Sequence, residues 1–303
     1  MAAVNACEVV AGSKIHWIVL VVLTQYIGLW KRESIQLADA APKENETVFW
    51  LQAEQYFADI RIPFDQPRLP PRTSLFDLAA AELPEFANFN AFAGTIDAAE
   101  SWIRWNRTID FKPNPSRIDQ GSVHFENRNL IEIGEFEFEN KVQQYREIWV
   151  PQSHAVSDRL VLELAQELNA TTQTVTHPKA LWVTVGAHFI RIYDARMYPP
   201  DFVAPSDMSG AALKQLMHFQ VDYGTRYGDT AWQIMLSNDP SRVGTTLQAR
   251  PNYQARWLDD KFIESWCSSA GETLEHHWHV RELTADQTAD RELNRLTFLA
   301  QRP

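Results

Sequence analysis

WLQAEQYFADIRIP, Trp50 to Pro63, holds two short apolar runs on either side of AEQY, and the second run stops at a proline. That punctuation predicts a β-hairpin with AEQY as its connection. With the register set by the loop, Gln52 faces Phe57 and Trp50 faces Asp59. Successive side chains on a strand point to opposite sides. Phe49, Leu51, Ala58, Ile60 and Ile62 therefore share one face, and Trp50, Gln52, Phe57, Asp59 and Arg61 share the other. The first is an ordinary core face. The second mixes large aromatics with an acid, a base and an amide, a blend suited to neither bulk water nor a dry core. Two settings accommodate it: a solvated outer face carrying an ion pair, or the inside of a barrel whose other face packs against a helix or a second barrel.

Strand-like runs of the same kind recur along the chain, among them SIQL, TVFWLQ, WIRWNRTIDF, LIEIG, QQYREIWV, ALWVTVGAHFIRIYDAR, HFQVDYG, AWQIMLS and RLTFLAQR. Helix-period segments are few: SLFDLAAAELPEF, interrupted at Pro84, and SDMSGAALKQLM, where Ser206 is placed to cap and Leu213 and Leu216 lie on one side. Short strands separated by Gly, Pro, Asn and Asp turns indicate antiparallel sheets closed into sandwiches or barrels. The pattern breaks at WVPQSHAVSDR, residues 149 to 159, leaving about seven or eight strand candidates on each side. About eight strands close a barrel that is either filled or holds one small ligand. The expected fold is all-β, with two antiparallel barrels in tandem over 28–150 and 151–303, a few short helices and an N-terminal apolar segment over 1–27. No close sequence repeat links the halves.

The 303 residues suffice for two domains of ordinary size. A net charge of −11 and the lack of a basic run speak against nucleic acid as a partner. Cys7 and Cys267 stand far apart, so neither a disulfide framework nor a CxxC metal motif is present. The 11 Trp and 16 Phe stand beside only 11 Gly; a given Trp can simply fill core, and aromatic walls also suit a ring-shaped guest. The apolar run Ile15 to Leu23 is shorter than the ~20 residues that cross a bilayer. With the sequons at Asn45, Asn106 and Asn169 it leaves a secretory route open beside the intracellular location the chain otherwise suggests.

EHHWH, residues 275–279, is the densest cluster of titratable side chains. On a strand, Glu275, His277 and His279 share one face and His276 and Trp278 the other. H-x-H near an acid is a spacing used for divalent metals, but Glu282 has the opposite parity from His279 and no cupin-type continuation follows. His277 and His279 can also act as acid or base without metal. In GAHFIRIYDAR, His188 and Ile190 share one face, with Arg191 and Tyr193 on the other. The serine-nucleophile, phosphate-loop and dinucleotide motifs are absent, which removes the usual support for hydrolase, kinase and dehydrogenase readings.

Gly28-Leu29-Trp30 matches the G-x-W opening of lipocalin first strands, where the Trp plugs one end of the barrel. The order GLWKRESI, WLQ, ADIRIP, FAGT, WNRTIDF, DQG, LIEIG and YREIW resembles a calycin-type family of lipocalin-like two-barrel proteins of fungi and bacteria, which includes the yeast casein-kinase-interacting protein. Within it the chain is similar to fungal members from tropolone sesquiterpenoid gene clusters, which are cofactor-free hetero-Diels-Alderases. This resemblance implies an enzyme that needs neither cofactor nor metal. Such an enzyme dehydrates a hydroxylated tropolone to a quinone methide and directs its cycloaddition to a humulene-type sesquiterpene. Arg61, Asp59 and His277 are then the candidate catalytic residues, and Trp50, Gln52, Trp105, His188, Trp232 and Trp278 the candidate contacts to a small apolar or aromatic substrate. A non-catalytic carrier or protein-interaction module is the alternative, and homo-oligomerisation stays open.

Overall fold

The computed structural model describes residues 24–69, 73–114, 118–138, 141–152, 158–196, 205–227, 231–258 and 261–284. The apolar run Ile15 to Leu23 and the strand candidate RLTFLAQR lie outside them. The first half supplies β1 (Gly28–Leu37), β2 (Glu46–Gln52), β3 (Tyr56–Pro63), β4 (Asn90–Ala99), β5 (Trp102–Asp110), β6 (Gln120–Glu126), β7 (Asn129–Phe138) and β8 (Lys141–Pro151). Each pairs antiparallel with the next, and β8 returns to β1, which closes a barrel. The hairpin register is the one the loop implies, with Trp50 opposite Asp59 and Gln52 opposite Phe57. Its connection is shorter than AEQY, because Tyr56 already belongs to β3 and its carbonyl accepts from Ala53 N–H at 2.9 Å.

The second half supplies β9 (Arg159–Asn169), β10 (Thr174–Thr176), β11 (Lys179–Val185), β12 (His188–Asp194), β13 (Phe219–Tyr227), β14 (Ala231–Ser237), β15 (Gln254–Leu258), β16 (Lys261–Cys267) and β17 (Thr273–Leu283). They form one curled sheet in the order β14-β13-β12-β11-β9-β17-β16-β15, with β10 on β9. The result is an all-β molecule of a closed barrel followed by a curled half-barrel. Helix is sparse. SLFDLAAAELPEF yields only the turns Leu75–Asp77 and Leu83–Phe86, the latter with Pro84 tolerated in its first turn. The helix Gly210–Leu216 is capped by Ser209, whose hydroxyl accepts from Ala212 N–H at 3.3 Å, and not by Ser206, which sits in the preceding turn.

Three apolar clusters hold the fold together. One fills the barrel around Trp30, Trp50, Phe57, Trp105 and Trp149. Another fills the half-barrel around Trp182, Phe189, Trp232, Phe262 and Trp278. The third joins them: Leu51, Ala58, Ile60 and Ile62 of the hairpin pack on Val161, Leu181, Val183, Ile190 and Ile192, under a cover that includes Phe86 and Leu216. Each Leu, Ile, Val or Phe among them contributes about 1.5–3 kcal/mol on burial. The apolar hairpin face thus docks on the second sheet, which forces Trp50, Asp59 and Arg61 inward.

The two halves repeat one design. Trp50 faces Asp59 in β2 and β3, and Trp182 faces Arg191 in β11 and β12. A bulge falls at Ala93/Gly94 and again at Tyr223/Gly224, where an added Cβ would run into the backbone carbonyl of Asn106 or of Gln233. Trp149 Nε1 donates to Glu132 at 3.0 Å, and Trp278 Nε1 donates to Glu264 at 3.0 Å. The likeness resides in a few inward-facing positions, so a residue-by-residue reading of the sequence misses it.

Candidate functional site

Inside the closed barrel the aromatic layer is built from the bottom. Trp30 plugs that end, donating Nε1–H to Tyr26 O at 2.7 Å and stacking on Trp50 with ring centroids 6.0 Å apart. Trp105 and Trp149 stand nearly perpendicular to Trp50, at 75° and 73° with centroids 5.7 and 5.8 Å away. Both pack edge-to-face with Trp50, and all three indoles border the cavity. Trp50 Nε1–H donates to Gln52 Oε1 at 3.1 Å, while Gln52 Nε2 donates to the carbonyls of Ala53 and Tyr56. Gln52 is fully buried, and its amide is committed to holding the indole and the hairpin turn.

Above this layer lies a cavity of about 150 Å³. Trp50, Trp105, Trp149 and Phe92 wall it, and Ile35, Leu37 and Phe136 stand toward the mouth. Its polar lining is Asp59, Arg61, Arg107, Asp119, Glu132, Tyr145 and Glu147. Arg61 Nε donates to Asp59 Oδ1 at 2.8 Å, and its Nη1 lies 3.9 Å from Glu147. Arg32 approaches Glu147 from behind at 2.7 Å while also pairing with Glu44 and Glu46. Arg107 donates to Asp119 at 2.8 Å and to Asp110 at 3.1 Å, with its guanidinium 3.4 Å above the Phe92 ring.

Glu132 stands apart from these ion pairs. It is 4% exposed and accepts from Tyr145 Oη–H at 2.7 Å and from Trp149 Nε1–H at 3.0 Å, both neutral groups. Burial, reinforced by the charge of Glu147, pushes its carboxyl up to about 8, so it carries a proton at neutral pH. Burial likewise raises Asp59, against the pull of Arg61. Burial would lower Arg61, but Asp59 and Glu147 overcome it and hold the guanidinium well above its ordinary value. Tyr145 is kept neutral by burial and by the neighbouring Glu132. Its ring lies over Gly134, where an added Cβ would sit 2.2 Å from the Tyr145 hydroxyl.

The structure brings Trp50, Asp59, Arg61 and Trp105 to one cavity and leaves the other candidates elsewhere. His188 lies on the docking face, stacked on Tyr223, which in turn stacks on Phe49 at 4.3 Å. Trp232 and Trp278 are buried in the half-barrel. His277 belongs to that half too, on the face opposite Trp278, with Nε2 2.8 Å from Glu275. Among the described residues no group of three or more His, Cys, Asp or Glu is arranged to hold a metal ion.

The half-barrel interior is filled where the barrel is hollow. Arg191, in the position of Asp59, pairs with Glu264 at 2.9 Å and lies between Trp182 and Trp278, 5.0 and 4.9 Å from their rings. Burial alone would raise Glu264, but Arg191 and Arg250 hold it at about 2. Burial lowers His276, which faces Glu167 at 2.7 Å, to about 4. Sequence reasoning missed Glu132, Tyr145 and Glu147, all within LIEIG and YREIW. The available signal was in β7, where Glu132 is the lone acid at a parity shared with Leu130, Gly134 and Phe136, its other two acids falling on the opposite parity.

A closed antiparallel barrel with its entry Trp at the bottom and an aromatic, acid-lined hollow above defines a lipocalin-like barrel, here followed by a second, filled half. The chain belongs to the family described as Protein HRI1, whose model matches residues 28–201. A search of solved structures finds the uncharacterized protein YLR301w from Saccharomyces cerevisiae, 16% identical, with a TM-score of 0.49 over 85% of this chain and 98% of that chain. No curated protein matches.

Proposed function

We propose that this chain is a cofactor-free enzyme whose barrel cavity promotes loss of water from a small hydroxylated ring compound. Following the resemblance to fungal family members, the finer reading is a hetero-Diels-Alderase that generates a tropolone quinone methide and steers it onto a humulene-type alkene. The observation that supports it is Glu132: a buried carboxyl, protonated at neutral pH, facing an indole-walled cavity. Glu132 donates its proton to the departing hydroxyl and the C–O bond breaks. Water leaves, and the ring hydroxyl gives its proton to the carboxylate of Glu147. No electrons are exchanged with an external partner.

A cavity of about 150 Å³ is of the size that holds a single ring. The tropolone ring therefore sits among Trp50, Trp105 and Trp149, and the alkene meets it from the mouth at Ile35, Leu37 and Phe136. The walls exclude water from the reactive species and hold the two reactants at reacting distance.

The test incubates a hydroxymethyl-tropolone with humulene or its hydroxylated derivative, with wild-type protein, with Glu132→Gln and without protein. Products are resolved by chiral chromatography. Wild type should give faster conversion to one stereoisomer, and the variant should lose about 10²–10⁴ of the rate, the range for a general acid. Equal rates and a racemic product in all three tubes would leave binding without catalysis, the mark of a carrier.

A further inference from the structure

We infer that the barrel cavity binds a small organic cation of the alkylammonium type, held between its indole walls and the carboxyl of Glu132. This rests on the same cavity as the proposed reaction and deepens it, because a departing hydroxyl leaves positive charge on the carbon behind it.

Two independent features carry the inference. The first is the wall. Trp105 and Trp149 stand at 75° and 73° to Trp50, and indole faces attract cations more strongly than other aromatic faces do. The cations already present lie on a different ring, with the guanidiniums of Arg107 and Arg61 at 3.4 and 5.0 Å from Phe92. Among the described residues no guanidinium lies over Trp50, Trp105 or Trp149, which leaves these indoles to a guest.

The second feature is charge. Four carboxyl groups line the cavity, Asp59, Asp119, Glu132 and Glu147, against two guanidiniums, Arg61 and Arg107. Each guanidinium already has an acid: Arg61 holds Asp59, and Arg107 holds Asp119 and Asp110. Arg32 on β1 serves Glu147, but Glu44 and Glu46 share it. Among the described residues Glu132 has no cation within salt-bridge distance, and its hydrogen-bond partners are Tyr145 and Trp149. The groups that act on it are Tyr145 and Glu147 from β8, Asp119 from the approach to β6, and Arg61 from β3. Asp59 on β3, Arg107 on β5 and Arg32 on β1 complete the charged surroundings. This balance holds Glu132 protonated when the cavity has no positive guest. A guest with fixed positive charge supplies what the proton supplies, so the carboxyl ionises as it binds. A metal ion would gain little from indole walls. An alkylammonium gains from both walls and acid.

The experiment uses the whole chain with choline and its neutral carbon isostere 3,3-dimethyl-1-butanol, followed by tryptophan fluorescence and by calorimetry in buffers of different ionisation enthalpy. Choline should bind with release of a proton near pH 7. Its affinity should rise about tenfold per pH unit up to about 8 and then level off, as linkage to one carboxyl requires. The neutral isostere should bind more weakly and without pH dependence, and Glu132→Gln should abolish both the proton release and the pH dependence. Equal binding of the two probes, no binding of choline, or choline binding indifferent to pH or to Glu132→Gln overturns the inference. Cation binding in a protein that fails the cycloaddition assay refutes the reaction alone. Catalysis without cation preference refutes this inference alone.

Discussion

Replacing Glu132 by Gln tests the central electrostatic claim without any substrate. Tyr145 Oη–H and Trp149 Nε1–H both donate to Glu132, and in Glu132→Gln the amide oxygen keeps the bond from Trp149 while the amide N–H can meet the Tyr145 oxygen. Glu132→Gln is therefore the protonated state made permanent. The folded carboxyl releases its proton at about 8, whereas the ordinary value is 4.5. Between those values the folded chain holds a proton that the unfolded chain has lost, so wild-type stability falls as pH rises through that window. At about 1.4 kcal/mol per pH unit the loss reaches on the order of 5 kcal/mol by pH 8. The variant lacks this loss. Chemical denaturation of both proteins at pH 5, 6, 7 and 8 measures it. The two should be nearly equal in stability at pH 5, with the variant increasingly the more stable toward pH 8. Parallel curves across the whole range would refute the claim that Glu132 is a buried, protonated carboxyl.

Three further outcomes follow from the same contacts. Gly134→Ala places a methyl 2.2 Å from the Tyr145 hydroxyl, so it should displace the ring and cost about 1–3 kcal/mol, measured by thermal melting. Arg191→Met leaves Glu264 buried without its guanidinium and should cost about 3–5 kcal/mol, whereas the double change Arg191→Met with Glu264→Gln should recover most of the loss. Glu282 accepts from the backbone N–H groups of Glu54, Gln55 and Tyr56 at 2.9, 2.6 and 3.1 Å, tying the barrel's hairpin to the last described strand. Glu282→Ala should cost about 1–3 kcal/mol and speed amide exchange at those three residues, while exchange in β5 stays unchanged.

Much of the fold was legible because strand alternation is local. WLQ and FADIRIP contain their own register, and the two-residue period assigned Trp50, Asp59 and Arg61 to one side before any neighbour was known. Which side is inside is not local. It was settled when Leu51, Ala58 and Ile60 found a partner surface in Val183 and Ile190 of the other half. EHHWH shows the limit plainly: the parity of its residues was right, yet His276 and not His277 turns inward, because β17 presents its Trp278 face to the half-barrel interior.

The sequence by itself determined an all-β chain and a hairpin with one mixed face, but it did not single out the acids of LIEIG and YREIW. The tertiary structure decided that these acids meet Arg61 and three indoles around a hollow, and that the matching place in the second half is closed by Arg191. The reason is physical. Alternation is fixed within a few residues by backbone geometry, whereas convergence depends on barrel closure between β1 and β8, over a hundred residues apart. At the matching position the two halves differ: Asp59 draws Arg61 to itself, while Arg191 reaches across the interior to Glu264.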